Sequence, residues 1–183
     1  MLKLTTTATY QVSDFVTPFN EDGRTFIRTA TSSLLNQASQ HTITLTKKRT
    51  RTEQKQTPNA PPEILKTYTQ PRYFAHYVMN LPATAITFLP SFIGLYSPSD
   101  KATLQSLPGW KLPMIHVYCF STKSDDNVRE GIEICEEVSR QIGFEITPRT
   151  PETKVWDVRD VAPKKRMFCC SFRLPEEVAF REV

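Results

Sequence analysis

Two short stretches put hydrogen-bonding side chains where a strand pattern hands over to a helix pattern. In His76-Tyr77-Val78-Met79-Asn80-Leu81-Pro82, an apolar run from Tyr73 to Met79 stops at an asparagine and a proline. A second apolar pattern, Ala83 to Phe92, follows at helical spacing. This predicts a buried strand ending at Asn80, a rigid Leu-Pro turn and a helix. In open α/β sheets ligands sit just outside the carboxyl ends of strands. An asparagine there can both donate and accept hydrogen bonds. Asn80 is therefore a candidate ligand contact, and its other reading is a plain turn or cap residue. Asp22-Gly23 stands in a matching place. It follows a short strand candidate, Asp14 to Phe19, and precedes the helical spacing of Phe26, Ile27, Ala30, Leu34 and Leu35. The dipeptide alone also reads as an ordinary turn.

Several other chemistries lack their residues. The 5 glycines include no G-x-G-x-x-G spacing and no P-loop. The 4 cysteines, Cys119, Cys135, Cys169 and Cys170, form no C-x-x-C pair and sit in apolar segments. They read as buried thiols of a reducing compartment. The 3 histidines, His41, His76 and His116, lack metal-ligand spacing, so no metal is expected. No apolar run approaches the roughly 18 residues of a membrane span, and Met1 to Tyr10 lacks a secretory core. No membrane partner is expected.

The elements that must position Asp22, Gly23 and Asn80 are an alternation of strands and helices. The 183 residues, 39% hydrophobic and 23% charged, suit one domain or a fragment of a larger protein. From His41 to Arg72 the character changes. Lys47, Lys48, Arg49, Arg51, Lys55, Lys66 and Arg72 face only Glu53 and Glu63, a local +5 in a chain of net +4. Pro58, Pro61 and Pro62 stiffen it, and few large apolar residues are available for burial. Residues 41–72 read as a flexible basic insertion, able to brush a phosphate backbone or simply to be solvated.

Beyond it, Met114 to Phe120 is a continuous apolar run, the mark of a central parallel strand covered on both faces. Ser124 or Asp125 can cap a helix whose stripe is Val128, Ile132, Cys135, Val138 and Ile142, with Gly143 ending it. Trp156 to Val161 and Met167 to Leu174 read as two antiparallel neighbours joined by a short turn. The fold class is α/β: a mostly parallel sheet with helices on both faces and a final antiparallel strand. That arrangement resembles the closing half of a Rossmann-like class I methyltransferase sheet; the opening strand with a glycine-rich turn that such a sheet would have is absent.

Asn20-Glu21-Asp22-Gly23-Arg24, Tyr77-Val78-Met79-Asn80-Leu81-Pro82-Ala83 and Val158-Arg159-Asp160-Val161-Ala162-Pro163 together resemble one family. Met114 to Phe120 and Ser171-Phe172-Arg173-Leu174-Pro175 resemble it too, in the same order. It is the eukaryotic and archaeal tRNA (guanine-N1)-methyltransferases, which modify the guanosine 3′ of the anticodon, position 37. The resemblance implies S-adenosylmethionine as methyl donor and tRNA as acceptor. It gives Asp22 and Gly23 to the donor's adenine and Asn80 to the junction of donor and target base. A carboxylate can accept from an adenine amino group, and a glycine lets its backbone approach the ring.

The family's glycine-rich donor loop, its ribose-binding acid and its general base should precede Val12, and none is present. The catalytic base is thus unassigned. The chain is expected to be a C-terminal part of the catalytic domain, residues 1–183, whose N-terminal half is missing or supplied separately. On its own it is expected to be inactive. The resemblance also implies an intracellular setting, in cytoplasm, nucleus or mitochondrial matrix. Two alternatives stay open: a related wybutosine-pathway tRNA transferase, and a non-catalytic RNA-associated remnant.

Overall fold

The computed structural model describes residues 16–37, 42–125 and 127–182. Its elements begin with α1 (Gly23–Leu35), β1 (Thr42–Thr46), α2 (Arg51–Gln56), β2 (Ile64–Thr69) and β3 (His76–Met79). A 3-10 helix (Ala85–Phe92), a 3-10 turn (Pro98–Asp100), α3 (Lys101–Gln105) and β4 (Met114–Thr122) follow. The chain closes with α4 (Val128–Ile142), β5 (Lys154–Ala162), β6 (Lys165–Arg173) and α5 (Glu176–Ala179). Of the expected strand Asp14 to Phe19, residues 16–19 have no regular structure, and Asp14 and Phe15 lie outside the described residues.

Among the described residues two compact units result, one joining 21–36 to 73–125 and 127–182 and the other joining 16–20 and 37 to 42–72. The first is built on a 4-stranded sheet of order β3-β4-β6-β5. β3 runs parallel to β4, with Tyr77 beside Ile115 and Met79 beside Val117. β6 is antiparallel to both neighbours, setting Cys170 against Val117 on one side and Val155 on the other. The sheet is mixed: β3 and β4 pair in parallel, and the final strand is antiparallel, as expected. β3, β4 and β5 do run the same way, and the reversed final strand inserts between the last two, which makes two of the three pairings antiparallel.

Registration puts Tyr77, Met79, Ile115, Val117, Cys119, Cys170 and Phe172 on one face of the sheet. This face carries the core, with Leu89 and Phe92 of the 3-10 helix and Ile134, Val138 and Ile142 of α4. Burying each such large side chain contributes about 1.5–3 kcal/mol. The other face bears His76, Val78, His116 and Trp156, with Val78 and Trp156 65% and 51% exposed. Helices on both faces are thus not found among the described residues. β3, β4 and β5 progress in one direction across the sheet, and right-handed crossovers between such strands all fall on one side. β3 itself, expected as buried, is an edge strand with only Met79 buried.

The helix after Asn80 is a tight 3-10 turn sequence, unusually long at 8 residues. Pro90 within it lacks an N–H, which removes one donor from the ladder. Ala85, Leu89 and Phe92 are buried at helical steps, so the spacing found the right face.

α4 ends at Gly143, whose φ of 62° is the left-handed cap expected from sequence. At its start Asn127 occupies the cap position with φ 57°. Ser124 Oγ accepts from the Asn127 N–H at 3.2 Å and donates to Glu130 at 2.7 Å. The stripe divides: Cys135, Val138 and Ile142 are buried, while Val128 and Ile132 are exposed.

In the second unit β1 and β2 form an antiparallel hairpin, Ile43 opposite Tyr68 and Leu45 opposite Lys66. Its connection carries α2, whose Thr50 and Glu53 make a reciprocal capping box. The sequence pattern had pointed to no regular elements here, because threonine-rich strands without a buried face lack an apolar alternation.

Candidate functional site

Asp22 caps α1. Its Oδ1 accepts from the Arg24 N–H at 2.9 Å, and its Oδ2 lies 3.5 Å from the Arg24 guanidinium. An aspartate that satisfies an orphan N–H at a helix start stabilises it by about 1 kcal/mol. The carboxylate remains 57% exposed, and its long ion-pair contact leaves acceptor capacity. Gly23 opens α1 against the 3-10 helix. A Cβ there would come within 3.1 Å of the Phe88 ring. Arg24 covers the face of that ring at 4.5 Å and donates to Thr87 Oγ1 at 3.0 Å.

Asn80 follows Met79 at the end of β3 and is exposed. The turn beyond it is closed by the Leu81 carbonyl, which accepts from Thr84 N at 2.8 Å and Ala85 N at 2.7 Å. Asn80 and Gly23 line one cleft of about 410 Å³. Phe26, Phe74, Tyr77 and Phe88 give that cleft aromatic walls. Asp22 stands next to it in sequence but is not among its lining residues. So the structure brings Gly23 and Asn80 together across 57 positions of chain, with Asp22 the residue before Gly23.

The aromatic walls escaped the sequence reading. Tyr77 meets Phe92 edge-on with centroids 5.0 Å apart and Phe74 at 5.5 Å. Its hydroxyl contacts Thr31 of α1 at 2.5 Å. Burial pushes the Tyr77 phenol up to about 12, with the Thr31 contact opposing. Phe88 of the following 3-10 helix joins Phe74 and Tyr77 in the lining, a contact that no local spacing predicts.

His76 also lines the cleft. Its Nδ1 lies 2.9 Å from His116 Nε2, and His116 Nδ1 lies 2.8 Å from Ser171 Oγ. The imidazoles stack at 5.2 Å. Partial burial, and secondarily the charge of His76, hold His116 below the ordinary imidazole range. The histidines share one sheet face but make no metal cluster, and none exists among the described residues. All four cysteines are free and buried.

A larger cavity, about 960 Å³, opens between α4 and residues 145–149. Val128 and Ile132 line it, which accounts for their exposure; Asp22, Gly23 and Asn80 do not. Gly23 and Asn80 thus line the smaller, aromatic cleft. Its lining is mostly apolar and aromatic, with Asn80 and His76 as its polar side chains.

The fold and cleft define an α/β unit with an aromatic-lined cleft at the carboxyl end of a strand that pairs in parallel. No family profile matches the chain, and no solved structure does. Among curated proteins it is 56% identical over 180 residues to the tRNA (guanine(37)-N(1))-methyltransferase of Phaeosphaeria nodorum, covering 94% of this chain and 40% of that one. It is 44% identical over 184 residues to the protein of the same name from Aspergillus fumigatus, covering 94% and 38%. The Neurospora crassa protein is 44% identical over 178 residues, covering 94% and 36%. The chain is similar over most of its length to proteins named tRNA (guanine(37)-N(1))-methyltransferase, and it spans about two fifths of the length of the curated proteins it matches.

Proposed function

We propose that this chain is the C-terminal part of the catalytic domain of a tRNA (guanine-N1)-methyltransferase, using S-adenosylmethionine to methylate N1 of guanosine 37. The observation that carries the reading is 56% identity across 94% of the chain to a protein of that name. The sheet order supports it. Three co-directional strands with a reversed last strand inserted between two of them suit the closing half of a Rossmann-like methyltransferase sheet.

The cleft fits the adenine end of the donor. Gly23 lets Phe88 pack against the start of α1 where a side chain would clash, and the aromatic walls suit a purine. Asp22 accepts from the exocyclic amine. Asn80, at the strand end, orients the target base by hydrogen bonds to its edge. When bound, the donor supplies an electrophilic methyl group on sulfur. Holding donor and base in line is the protein's contribution, because transfer needs the two reacting atoms within a near-attack distance. Among Asp22, Gly23 and Asn80 nothing addresses the ribose or the methionine chain, so activity belongs to the complete enzyme. Its substrate confines it to compartments holding tRNA: cytoplasm, nucleus or mitochondrial matrix.

The test is methyl transfer to an unmodified tRNA transcript, read as N1-methylguanosine at position 37. An enzyme completed with the N-terminal portion of a curated relative should form it, and this chain alone should not. Donor titration by calorimetry should give no micromolar binding to the chain alone. A completed, folded enzyme that transfers no methyl group to tRNA would sink the reading.

A further inference from the structure

The hairpin of β1 and β2 with its α2 connection has the charge distribution of a surface made for a polyanion. Every residue from Thr50 to Pro71 is exposed, so burial is not what fixes its shape. Arg49 does that instead. Its guanidinium donates to the carbonyls of Glu53 at 2.8 Å and Ala60 at 3.1 Å, and to that of Thr57. The segment's acids are committed internally. Glu63 pairs with Lys47 at 3.0 Å, and Glu53 accepts from the Thr50 N–H at 2.7 Å.

Lys48, Arg51, Lys55 and Lys66 are left with no ion pair among the described residues. Register puts Ile43, Leu45, Lys66 and Tyr68 on one face of the hairpin, with Lys66 4.7 Å over the Tyr68 ring. Tyr68 is 39% exposed. Surplus cations on a hairpin that also carries an accessible aromatic ring supply the chemistry of phosphate neutralisation with base stacking.

We propose that this hairpin is an RNA-binding arm that grips the phosphate backbone of the tRNA substrate through Lys48, Arg51 and Lys55, with Tyr68 available to stack on an unpaired base. The proposal deepens the methyltransferase reading and rests on it for the identity of the RNA. It does not follow from the fold: the net +5 of residues 41–72 exceeds the +4 of the whole chain, so the charge is concentrated here.

The test is filter binding of an unmodified tRNA transcript to the full chain between 50 and 200 mM KCl. Lys48→Glu/Arg51→Glu/Lys55→Glu is the comparison, with the three glutamine substitutions as a second variant should the first fail to fold. Each lost phosphate contact flattens the plot of log affinity against log salt by about 0.9. The expected result is at least a tenfold loss of affinity and a slope shallower by about 2 to 3. Unchanged binding by either folded variant overturns the proposal, as does a wild-type chain that retains no tRNA at 50 mM KCl. Tighter capture by vesicles containing anionic lipid than by tRNA overturns it in favour of a membrane arm. The methylation reading fails separately, in the product assay. RNA binding without N1-methylguanosine formation by the completed enzyme leaves the arm standing, and methylation with unaltered variant binding removes only the arm.

Discussion

The Cβ that Gly23 lacks would lie 3.1 Å from Cε2 of Phe88 and 3.5 Å from its Cδ2, so the start of α1 and the 3-10 helix meet through a missing side chain. Contact that close is what lets Phe88 form a wall of the cleft while Gly23 forms its floor. The juxtaposition ties the geometry of the candidate site to a single hydrogen atom on Cα.

Gly23→Ala should therefore separate stability from ligand binding. Alanine favours a helix over glycine by about 1 kcal/mol, and a half-buried Phe88 ring can yield by a few tenths of an ångström. Stability should change by less than about 1 kcal/mol in urea unfolding. Donor affinity of the completed enzyme should fall about tenfold, because Phe88 is displaced into the cleft; unchanged affinity would refute Gly23 as a cleft residue.

Asn80→Ala should behave the same way for another reason. The residue is exposed at a strand end, and exposed substitutions away from special features usually move stability by about 0.5 kcal/mol or less. Losing a hydrogen bond that orients the base should cost about 1–3 kcal/mol in transfer, or about ten- to a hundredfold in kcat/KM. Parallel losses of melting temperature and activity would make Asn80 a turn residue only.

The histidine pair predicts acid sensitivity. His116 has a folded-state affinity for protons below the ordinary imidazole value of 6.5. The unfolded chain then binds more protons, so stability rises with pH through this window. The contribution of His116 is full above 6.5 and is lost as pH falls toward the lowered folded value. Thermal unfolding at pH 7.5 and 5.5 should show a drop, and His116→Gln should shrink the difference. An identical pH response in the variant would remove the pair as its source.

Trypsin should cut first between Lys47 and Lys66. That segment holds Lys48, Arg51 and Lys55 on exposed backbone without a core, whereas Arg166 and Arg173 sit in a paired strand. Initial cleavage mapped by mass spectrometry to β6 instead would contradict it.

The elements with their own periodicity were written in the sequence. The apolar run of β4, the helix closed by Gly143, the antiparallel return of β5 and β6, and the end of β3 at Asn80 each depend on neighbours a few residues apart. Their signals are local: alternation, a step of three or four, a proline, a left-handed glycine. Resemblance added roles for Asp22, Gly23 and Asn80, and the residues around them stayed invisible.

Only the tertiary structure decided that Gly23 and Asn80 share a cleft, that Phe88 walls it, and that His76 reaches His116. It also decided that the core lies on one face of the sheet and that β3 is an edge. Those outcomes depend on strand order and on the hand of the crossovers. Pairing register then determines which residues, tens of positions apart, fall side by side. A pattern of spacing carries the direction in which a side chain leaves its own backbone, but not which distant backbone it will meet.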